Sequence, residues 1–467
     1  MKIEKSTDKA PPPVRMGLIG VGGHARQILI PAMQRLTVRL ALSVFFVCLH
    51  SICASGADTA GQQSLREYKA RMPLARVQIN NIVASAEASA ARMQQNPAAL
   101  INVPYWEQPS FAEELLNRAG GLALALPTVE RAEDATDQDI VLLSVRSWDG
   151  DEGKTAKLIQ AYRDKKWLTV LFASAAGCPA AVKADFLVDN GASGPGKEHG
   201  RINVLSNVTL GWMWCCEYVA AMTRHGKIPG VLMSIMLPGS DAHNAEIQTP
   251  AGRHFLGECQ IAIPAGELAD KYLLRLETLI ADLEGAPIQK QITAAADIVA
   301  ARMNQGGTVG LAGVGHLILF EAELDNKSPW KGFSGMDVQG GKISTKLKAG
   351  DLITWIGYAG GLNSLYFDFA KALHGAKLDV ISCYAPIPGE PPLLNAVKPL
   401  AHIDQSWKVG DAEIELPAPP GRMAPISGLY AILIQRMLDD EVADRIAKKD
   451  IVTPPRTAAS APKRPEP

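Results

Sequence analysis

The chain has 467 residues, of which 47% are hydrophobic and 20% are charged, and its formal net charge is −1 at pH 7. This composition is typical of a folded globular protein and excludes a disordered one, and the length predicts two or three domains. A chain so close to neutrality lacks the basic surface of a nucleic-acid-binding domain, so nucleic acid is excluded as a partner.

The seven cysteines form no Cys-x-x-Cys pair and no Cys/His cluster with the spacing of metal ligands. Cys48 and Cys53 fall in an apolar segment near the N-terminus. The other five are scattered among apolar residues, and we expect them to be buried as small hydrophobic side chains. The sequence therefore predicts no metal site.

Residues 14–30 predict a short strand, a glycine turn and the start of a helix. The pattern Gly20-x-Gly22-x-x-Ala25 resembles the opening of a Rossmann unit, as in the glucose-fructose oxidoreductase family of NAD(P)-dependent enzymes. That fingerprint also needs a second strand that ends in an acidic residue about twenty positions later, and no such strand follows. An NAD(P)-dependent oxidoreductase fragment is therefore an alternative, and the main expectation is that no cofactor is bound.

Residues 33–57 carry the three parts of a secretory signal peptide. The basic stretch from Met33 to Arg39 leads into the apolar run LALSVFFVCLHSIC, and small residues follow it. The run is short for a transmembrane span, and an uncleaved membrane anchor is the alternative. We expect an exported protein, periplasmic or extracellular, whose true start is Met33 and whose residues 1–32 are upstream sequence.

Beyond residue 60 the chain repeats itself at a spacing of about 210 residues. The matching pairs are AARMQQ at 90–95 with AARMNQ at 300–305, FAEEL at 111–115 with FEAEL at 320–324, and DIVLL at 139–143 with DLITW at 351–355. Each match is weak alone, but three in the same order indicate two copies of one unit.

Both copies predict the same order of elements, in which apolar strands alternate with helices. Continuous apolar strands of this kind indicate parallel strands that are buried on both faces. The predicted fold class is therefore α/β, with two tandem units that each hold a parallel sheet between layers of helices. The copies cover 62–245 and 270–450, and residues 246–269 join them. The tail 451–467 lacks apolar periodicity and is predicted to be disordered.

Three stretches carry a family resemblance. GGTVGLAGVGHLILFEAEL in the second copy, with PSFAEELLNRAGGL and PGSDAHNAEI in the first, together resemble the SIS (sugar isomerase) family of phosphosugar-binding domains. The resemblance implies a five-stranded parallel sheet flanked by helices, in a flavodoxin-like three-layer arrangement. It also implies ligand sites that form between paired units.

The phosphate site that this resemblance implies uses a glycine turn before a helix, where free N–H groups face an anion. The predicted ligand-binding residues are Gly313, Gly315, Asn363, Ser364, Arg146, Ser147, Ser206 and Ser427. In the first copy PYWEQP at 104–109 replaces the glycine turn, and Arg146 is the residue there that could meet an anion. Ser206 and Ser427 are predicted in matching loops before the last helix of each copy, where they could also act as caps.

Isomerisation requires a carboxylate or an imidazole to move a proton between adjacent sugar carbons. The predicted catalytic residues are His316, Glu114, Glu323 and His243. His316 follows the glycine turn, where simple capping is the alternative, and the two glutamates lie on helices, where a solvated face is the alternative. His243 belongs to the His-Asn ending of the resemblance, and an ordinary helix start is the alternative there.

These features lead to one expected function and one rival. We expect a protein that binds a small sugar or sugar phosphate, with ketose–aldose isomerisation as its chemistry. The rival is a non-catalytic sugar-binding or scaffold protein with degenerate loops, which the missing glycine turn of the first copy favours. Deletion of residues 1–57 should leave ligand binding intact in both cases and abolish it in an oxidoreductase. Assembly into a homo-oligomer stays open.

Overall fold

The structure, a computed structural model, covers most of the chain from residue 58 onward. The described residues are 58–127, 135–148, 152–193, 200–235, 237–249, 255, 257–313, 337–339, 342–344, 347–360, 366–387, 398–405, 407, 411–417 and 421–448. The predicted glycine motif at 20–25, the predicted signal peptide at 33–57 and the predicted disordered tail at 451–467 lie outside them.

The helices of the described part carry most of its buried apolar residues. They are α1 (Ala60–Lys69), α2 (Met72–Val77), α3 (Ile79–Gln95), α4 (Pro109–Leu115), α5 (Glu152–Asp164), α6 (Gly200–Arg224), α7 (Ser240–Ile247), α8 (Glu267–Glu284), α9 (Ala286–Asn304), α10 (Tyr366–Gly375) and α11 (Ser427–Lys448). Within the described residues, none of these helices is both long enough and apolar enough to cross a membrane.

The first half of the chain forms a five-stranded sheet in the order β2-β1-β3-β4-β5, and every neighbouring pair of strands is parallel. The strands are β1 (Ile101–Asn102), β2 (Ala125–Leu126), β3 (Ile140–Ser144), β4 (Leu168–Ala173) and β5 (Phe186–Asp189). The two faces of β3 pack into different hydrophobic cores. Leu142 packs in the large core with α3 and α6, and Leu143 packs with α5 on the other face. Burial on both faces explains why the strand has no polar alternation.

The second half forms a four-stranded parallel sheet in the order β13-β12-β11-β8. The strands are β8 (Val309–Gly313), β11 (Leu352–Gly360), β12 (Asp379–Pro386) and β13 (Ala401–Asp404). Helices α9 and α11 pack on one face, and α10 contacts the sheet as well. The predicted α/β class, with a parallel sheet flanked by helices in each half, is confirmed.

Short antiparallel pairs of strands complete the described part. They are β6 (Lys227–Ile228) with β7 (Gly257–Glu258), β9 (Asp337–Gln339) with β10 (Lys342–Ser344), and β14 (Ala412–Glu415) with β15 (Arg422–Pro425). The last of these hairpins contacts the first half, because the Ala424 N–H donates to the Gly120 carbonyl oxygen at 3.0 Å. Gly120 has a φ of +79°, and a side chain there would meet Ala424 and Pro425.

Helix α6 runs through the middle of the core and packs against α3, α4 and α8. It is apolar almost all round, as expected for a helix without an exposed face, and Trp212 and Trp214 are fully buried in it. The prediction of a loop at Ser206 is wrong, because the helix already begins at Gly200. Ser206 instead donates from Oγ to the Ile202 carbonyl oxygen at 2.9 Å, one turn earlier.

The described residues from Thr59 onward belong to one compact unit that includes both sheets. Helix α1, at the start of this unit, packs along α11, at its end, and the Gly61 N–H donates to Glu441 Oε1 at 3.0 Å. Helix α7 ends at Ile247 and α8 begins at Glu267. The boundaries of the two predicted copies stay a prediction.

Replacing Gly211 by alanine should destabilise the protein by about 1–3 kcal/mol. The added methyl group would lie 2.7 Å from a ring carbon of Phe111, which is itself packed against Phe172 at a ring-centroid distance of 5.2 Å and cannot move away. Chemical denaturation measures the change in unfolding free energy. Gly153→Ala is the matched control, because nothing lies within 4 Å of its new methyl group on α5. Equal stability of the two variants would contradict the packing.

Candidate functional site

The carboxyl ends of β3, β4 and β5 lie at one edge of the first sheet, where open α/β sheets bind ligands. Ser144, the last residue of β3, donates from Oγ to Gln108 Oε1 at 2.5 Å. Asn207 Nδ2 of α6 donates to the same Gln108 oxygen at 2.9 Å, and its Oδ1 accepts from Asn190 Nδ2 at 2.9 Å. All four side chains are buried, so the protein itself fills this part of the edge.

Arg146 lies next to this network, two residues beyond the end of β3. A methyl group added at Gly200 would lie 3.3 Å from Arg146 Nε, which places the guanidinium against the first turn of α6. The Arg146 carbonyl oxygen accepts from Asn203 Nδ2 at 3.0 Å. The positive end of the α6 dipole and a guanidinium therefore lie together at this edge, with half-buried Ser147 beside them.

The side-chain oxygen of Asn203 has an unusual environment. Asn203 is 1% exposed, and its Oδ1 has no hydrogen-bond partner. The orientation of the amide is set by its other atom, because Nδ2 donates to the Arg146 carbonyl oxygen. Buried polar atoms are nearly always paired, so this oxygen marks a place where a donor from outside the described chain would be stabilised.

A second arginine on α6 extends the positive charge. Arg201 is partly exposed, and its Nη1 lies 3.6 Å from Asp440 Oδ1 of α11. Burial lowers the pKa of the Arg201 guanidinium, and the charges of Arg436 and Arg146 lower it further, while Asp439 and Asp440 oppose this. Arg146, which follows β3, and Arg436 of α11 therefore both repel Arg201 of α6, and a bound anion would relieve that repulsion.

A separate buried charge cluster joins the two halves at Arg118. Its guanidinium donates to Glu114, to Asp411 Oδ2 at 3.0 Å and to Ser427 Oγ at 2.6 Å. Asp411 also accepts from the Ser427 N–H at 2.7 Å. Ser427 is the first residue of α11, so Asp411 supplies the cap that was predicted for Ser427 itself.

Glu114 is fully buried in this cluster. Burial raises the pKa of its carboxyl, Arg118 lowers it and Asp411 raises it, with a result of about 7. One guanidinium cannot neutralise two carboxylates, so Glu114 is partly protonated near pH 7. Its contacts are with Arg118 and Trp212 rather than solvent. The neighbouring Glu113 is the more accessible of the pair and accepts from the Tyr105 hydroxyl at 2.8 Å.

The His-Asn pair of α7 holds a nearby segment of the chain. His243 Nε2 lies 2.9 Å from the Val231 carbonyl oxygen. Asn244 Oδ1 accepts from the Met233 N–H at 2.8 Å, and its Nδ2 donates to the Met233 carbonyl oxygen at 3.0 Å. The described contacts of both residues therefore fix residues 231–233 beside the start of α7.

The remaining predicted site residues divide into two groups. Gly313 is the last residue of β8, so it lies at the carboxyl end of the second sheet as predicted. His316, Glu323, Gly315, Asn363 and Ser364 lie outside the described residues. The predicted roles of these residues stay predictions.

Sequence reasoning missed residues of the Arg118 cluster and polar residues of α6 and α11. They are Arg118, Arg201, Asn203, Asp411, Gln435, Arg436 and Asp439. One local signal was available, since polar residues interrupt the apolar runs of α6 and α11 where a buried helix should have none. Their partners lie far away in the sequence, so the signal alone could not assign them to a site.

No protein-family model and no curated protein matches the sequence. Among solved structures, the chain is similar to a proposed phosphosugar isomerase from Silicibacter pomeroyi, at 13% identity and a TM-score of 0.45, over 83% of this chain and 98% of that one. It is similar to the C-terminal domain of glucosamine-fructose-6-phosphate aminotransferase from Francisella tularensis, at 9% identity and a TM-score of 0.40, over 85% and 97%. It is also similar to tagatose-6-phosphate ketose/aldose isomerase from Escherichia coli, at 9% identity and a TM-score of 0.41, over 82% and 93%.

The Glu114 carboxyl should make stability depend on pH. Its pKa is about 7 in the folded protein, against an ordinary value of 4.5, so the folded state holds the proton more tightly than the unfolded chain. Protonation of Glu114 therefore contributes to the free energy of unfolding in full below about pH 4.5. This contribution falls by up to roughly 3 kcal/mol as the pH rises to about 7. Glu114→Gln should remove this part of the decline, as measured by denaturant unfolding at pH 5, 6, 7 and 8.

The control for this measurement is Glu113→Gln, which changes the adjacent, more accessible carboxyl on the same helix. It should keep the pH dependence of the unchanged protein. If the Glu114→Gln and Glu113→Gln proteins gave parallel curves across this range, the assigned protonation of Glu114 would be wrong.

Proposed function

We propose that this chain is a divergent SIS-type protein with two tandem units, and that it binds a phosphosugar or a related anionic sugar derivative. The tandem arrangement is supported by strand order. The second sheet has its strands in the order β8-β11-β12-β13. This is the same spatial order, relative to the chain, as β1-β3-β4-β5 in the first sheet. The helix with the AARM motif precedes the first strand of each set, at Ile79–Gln95 and Ala286–Asn304.

The position of Arg146 carries the binding proposal. It follows the second strand of the predicted first copy, where the resemblance implies a phosphate site, and its guanidinium packs against the start of α6. Arg201 in the first turn of α6 adds a second cation. Guanidinium groups and helix N–H groups donate to phosphate oxygens, so Arg146, Arg201 and the start of α6 supply the donors that the missing glycine turn would have given a bound phosphate.

Binding without catalysis is the better supported of the two expected functions. Of the four predicted catalytic residues, Glu114 is buried in ion pairs and His243 contacts a backbone carbonyl. Isomerisation by His316 and Glu323, which lie outside the described residues, stays a prediction. Export through residues 33–57 and the oxidoreductase alternative at 20–25 also stay predictions.

Arg146→Gln should weaken phosphosugar binding about 10- to 100-fold, because a charge-assisted hydrogen bond to phosphate is lost. The full chain would be titrated calorimetrically with glucose, fructose and glucosamine 6-phosphates. Its thermal unfolding would be followed with the same ligands, where a ligand at a hundred times its Kd adds about 2.7 kcal/mol.

Arg92→Gln is the matched control for this substitution. Arg92 Nη1 donates to the Lys166 carbonyl oxygen at 2.6 Å, and Lys166 precedes β4. It therefore lies at the opposite edge of the same sheet, and the variant should bind as the unchanged protein does. Equal affinity of the Arg146→Gln and Arg92→Gln proteins would place the ligand elsewhere.

A further inference from the structure

Helix α11 carries buried polar side chains where an apolar face would be expected. Gln435 is 1% exposed, and Arg436 and Asp439 are each 2% exposed. The residues around them, such as Ile434 and Met437, are fully buried apolar side chains of the large core. A polar group in such surroundings is costly unless it is paired, and of these three residues it is Gln435 that requires an explanation.

The amide of Gln435 has an unusual environment. Neither its Nε2 nor its Oε1 has a hydrogen-bond partner. Each buried donor or acceptor without a partner costs its full desolvation free energy, and a methionine or leucine of similar size would avoid that cost. A glutamine that serves only to fill space is therefore unfavourable at this position.

The polar stretch of α11 reaches the start of α6, beside the proposed anion site. Asp440 lies 3.6 Å from Arg201 Nη1, and Arg436 lies one helical turn before Asp440. The charges of Arg436 and Asp439 both act on Arg201. Gln435 precedes Asp439 by one turn, so these two residues share a face of the helix.

The chemistry of these groups differs from that of a simple anion site. The phosphate group of a phosphosugar is mostly doubly ionised at pH 7, so it offers acceptors that satisfy donors such as Arg146 and Arg201. Asn203 Oδ1, Gln435 Oε1 and the Asp439 carboxylate are acceptors, and two of these oxygens are buried without a partner. A ligand that satisfies both sets must combine an anionic group with hydroxyl or amino donors.

We propose that Asn203, Gln435 and Asp439 form a subsite that binds the hydroxyl or amino groups of a phosphosugar whose phosphate lies at Arg146 and Arg201. This inference rests on the proposed function and adds to it. The subsite draws Asn203 from the first half of the chain and Gln435 and Asp439 from the second. The glutamine amide supplies both a donor and an acceptor, which matches a sugar hydroxyl.

Gln435→Met tests the subsite in the full chain, because methionine has a similar shape and no hydrogen-bonding amide. Removal of the unpaired amide should raise the midpoint of thermal unfolding of the free protein by about 1–2 °C. The same variant should bind glucose, fructose and glucosamine 6-phosphates about tenfold more weakly in calorimetry. Its affinity for inorganic phosphate should stay within about twofold.

Gln289→Met is the matched control for the exchange of side chains. Gln289 lies half-buried on α9 and donates from Nε2 to the Leu283 carbonyl oxygen at 2.5 Å. Its replacement should lower stability slightly and leave the affinities for inorganic phosphate and for the phosphosugars unchanged.

The outcomes separate the inference from the proposed function. If Gln435→Met leaves the ratio of phosphosugar to phosphate affinity unchanged while Arg146→Gln weakens both, the subsite is wrong and the anion site stands. If neither phosphate nor any phosphosugar binds the unchanged chain, both fail. Should Gln435→Met not fold, a crystal structure with bound glucose 6-phosphate decides. A hydroxyl within about 3.2 Å of the Gln435 amide supports the subsite, and water alone in that place overturns it.

Discussion

The buried guanidinium of Arg118 is the interaction on which the arrangement of the two halves depends. It is held between Glu114, one turn earlier in the chain, and Asp411 and Ser427, which belong to the second half. A buried cation is tolerated only when its donors are used, because its transfer from water is otherwise very costly. Any movement of the second half away from α4 would leave this charge without Asp411 and Ser427.

This constraint also decides where α11 begins and which way it faces. Asp411 accepts the N–H groups of Ile426 and Ser427, so the first turn of α11 is fixed against the guanidinium. Gly428 is required at the next position, because a methyl group there would lie 2.5 Å from Glu114 Oε2. With its start fixed, the helix presents its later polar turns to the beginning of α6.

The proposed anion site and the Arg118 cluster therefore differ in how their buried polar groups are paired. In the Arg118 cluster the ionic groups bond to one another, and the result is structural. At the start of α6, buried acceptors on Asn203 and Gln435 stay without partners, which costs stability in the free protein. A binding site often contains groups that destabilise the free protein, and interactions elsewhere in the fold compensate for that loss of stability.

The sequence by itself determined the strands, most of the helices and the α/β class. Apolar runs such as 140–144 and 352–356 are encoded locally, because a strand buried on both faces needs continuous hydrophobic residues. The position of Arg146 after such a strand followed from the same pattern. The helical conformation of Ser206 did not follow from the sequence, because a polar residue within an apolar run resembles the boundary between a loop and a helix.

Only the tertiary structure decided which polar residues meet. Arg118 and Asp411 are 293 residues apart in the sequence, and the burial of Glu114 depends on both. The same holds for Arg201 and the polar turn of α11. Hydrophobic periodicity reports how each segment turns its apolar side to the core, but it carries no information about which distant charge lies opposite. That pairing arises from packing, and the candidate site exists only through it.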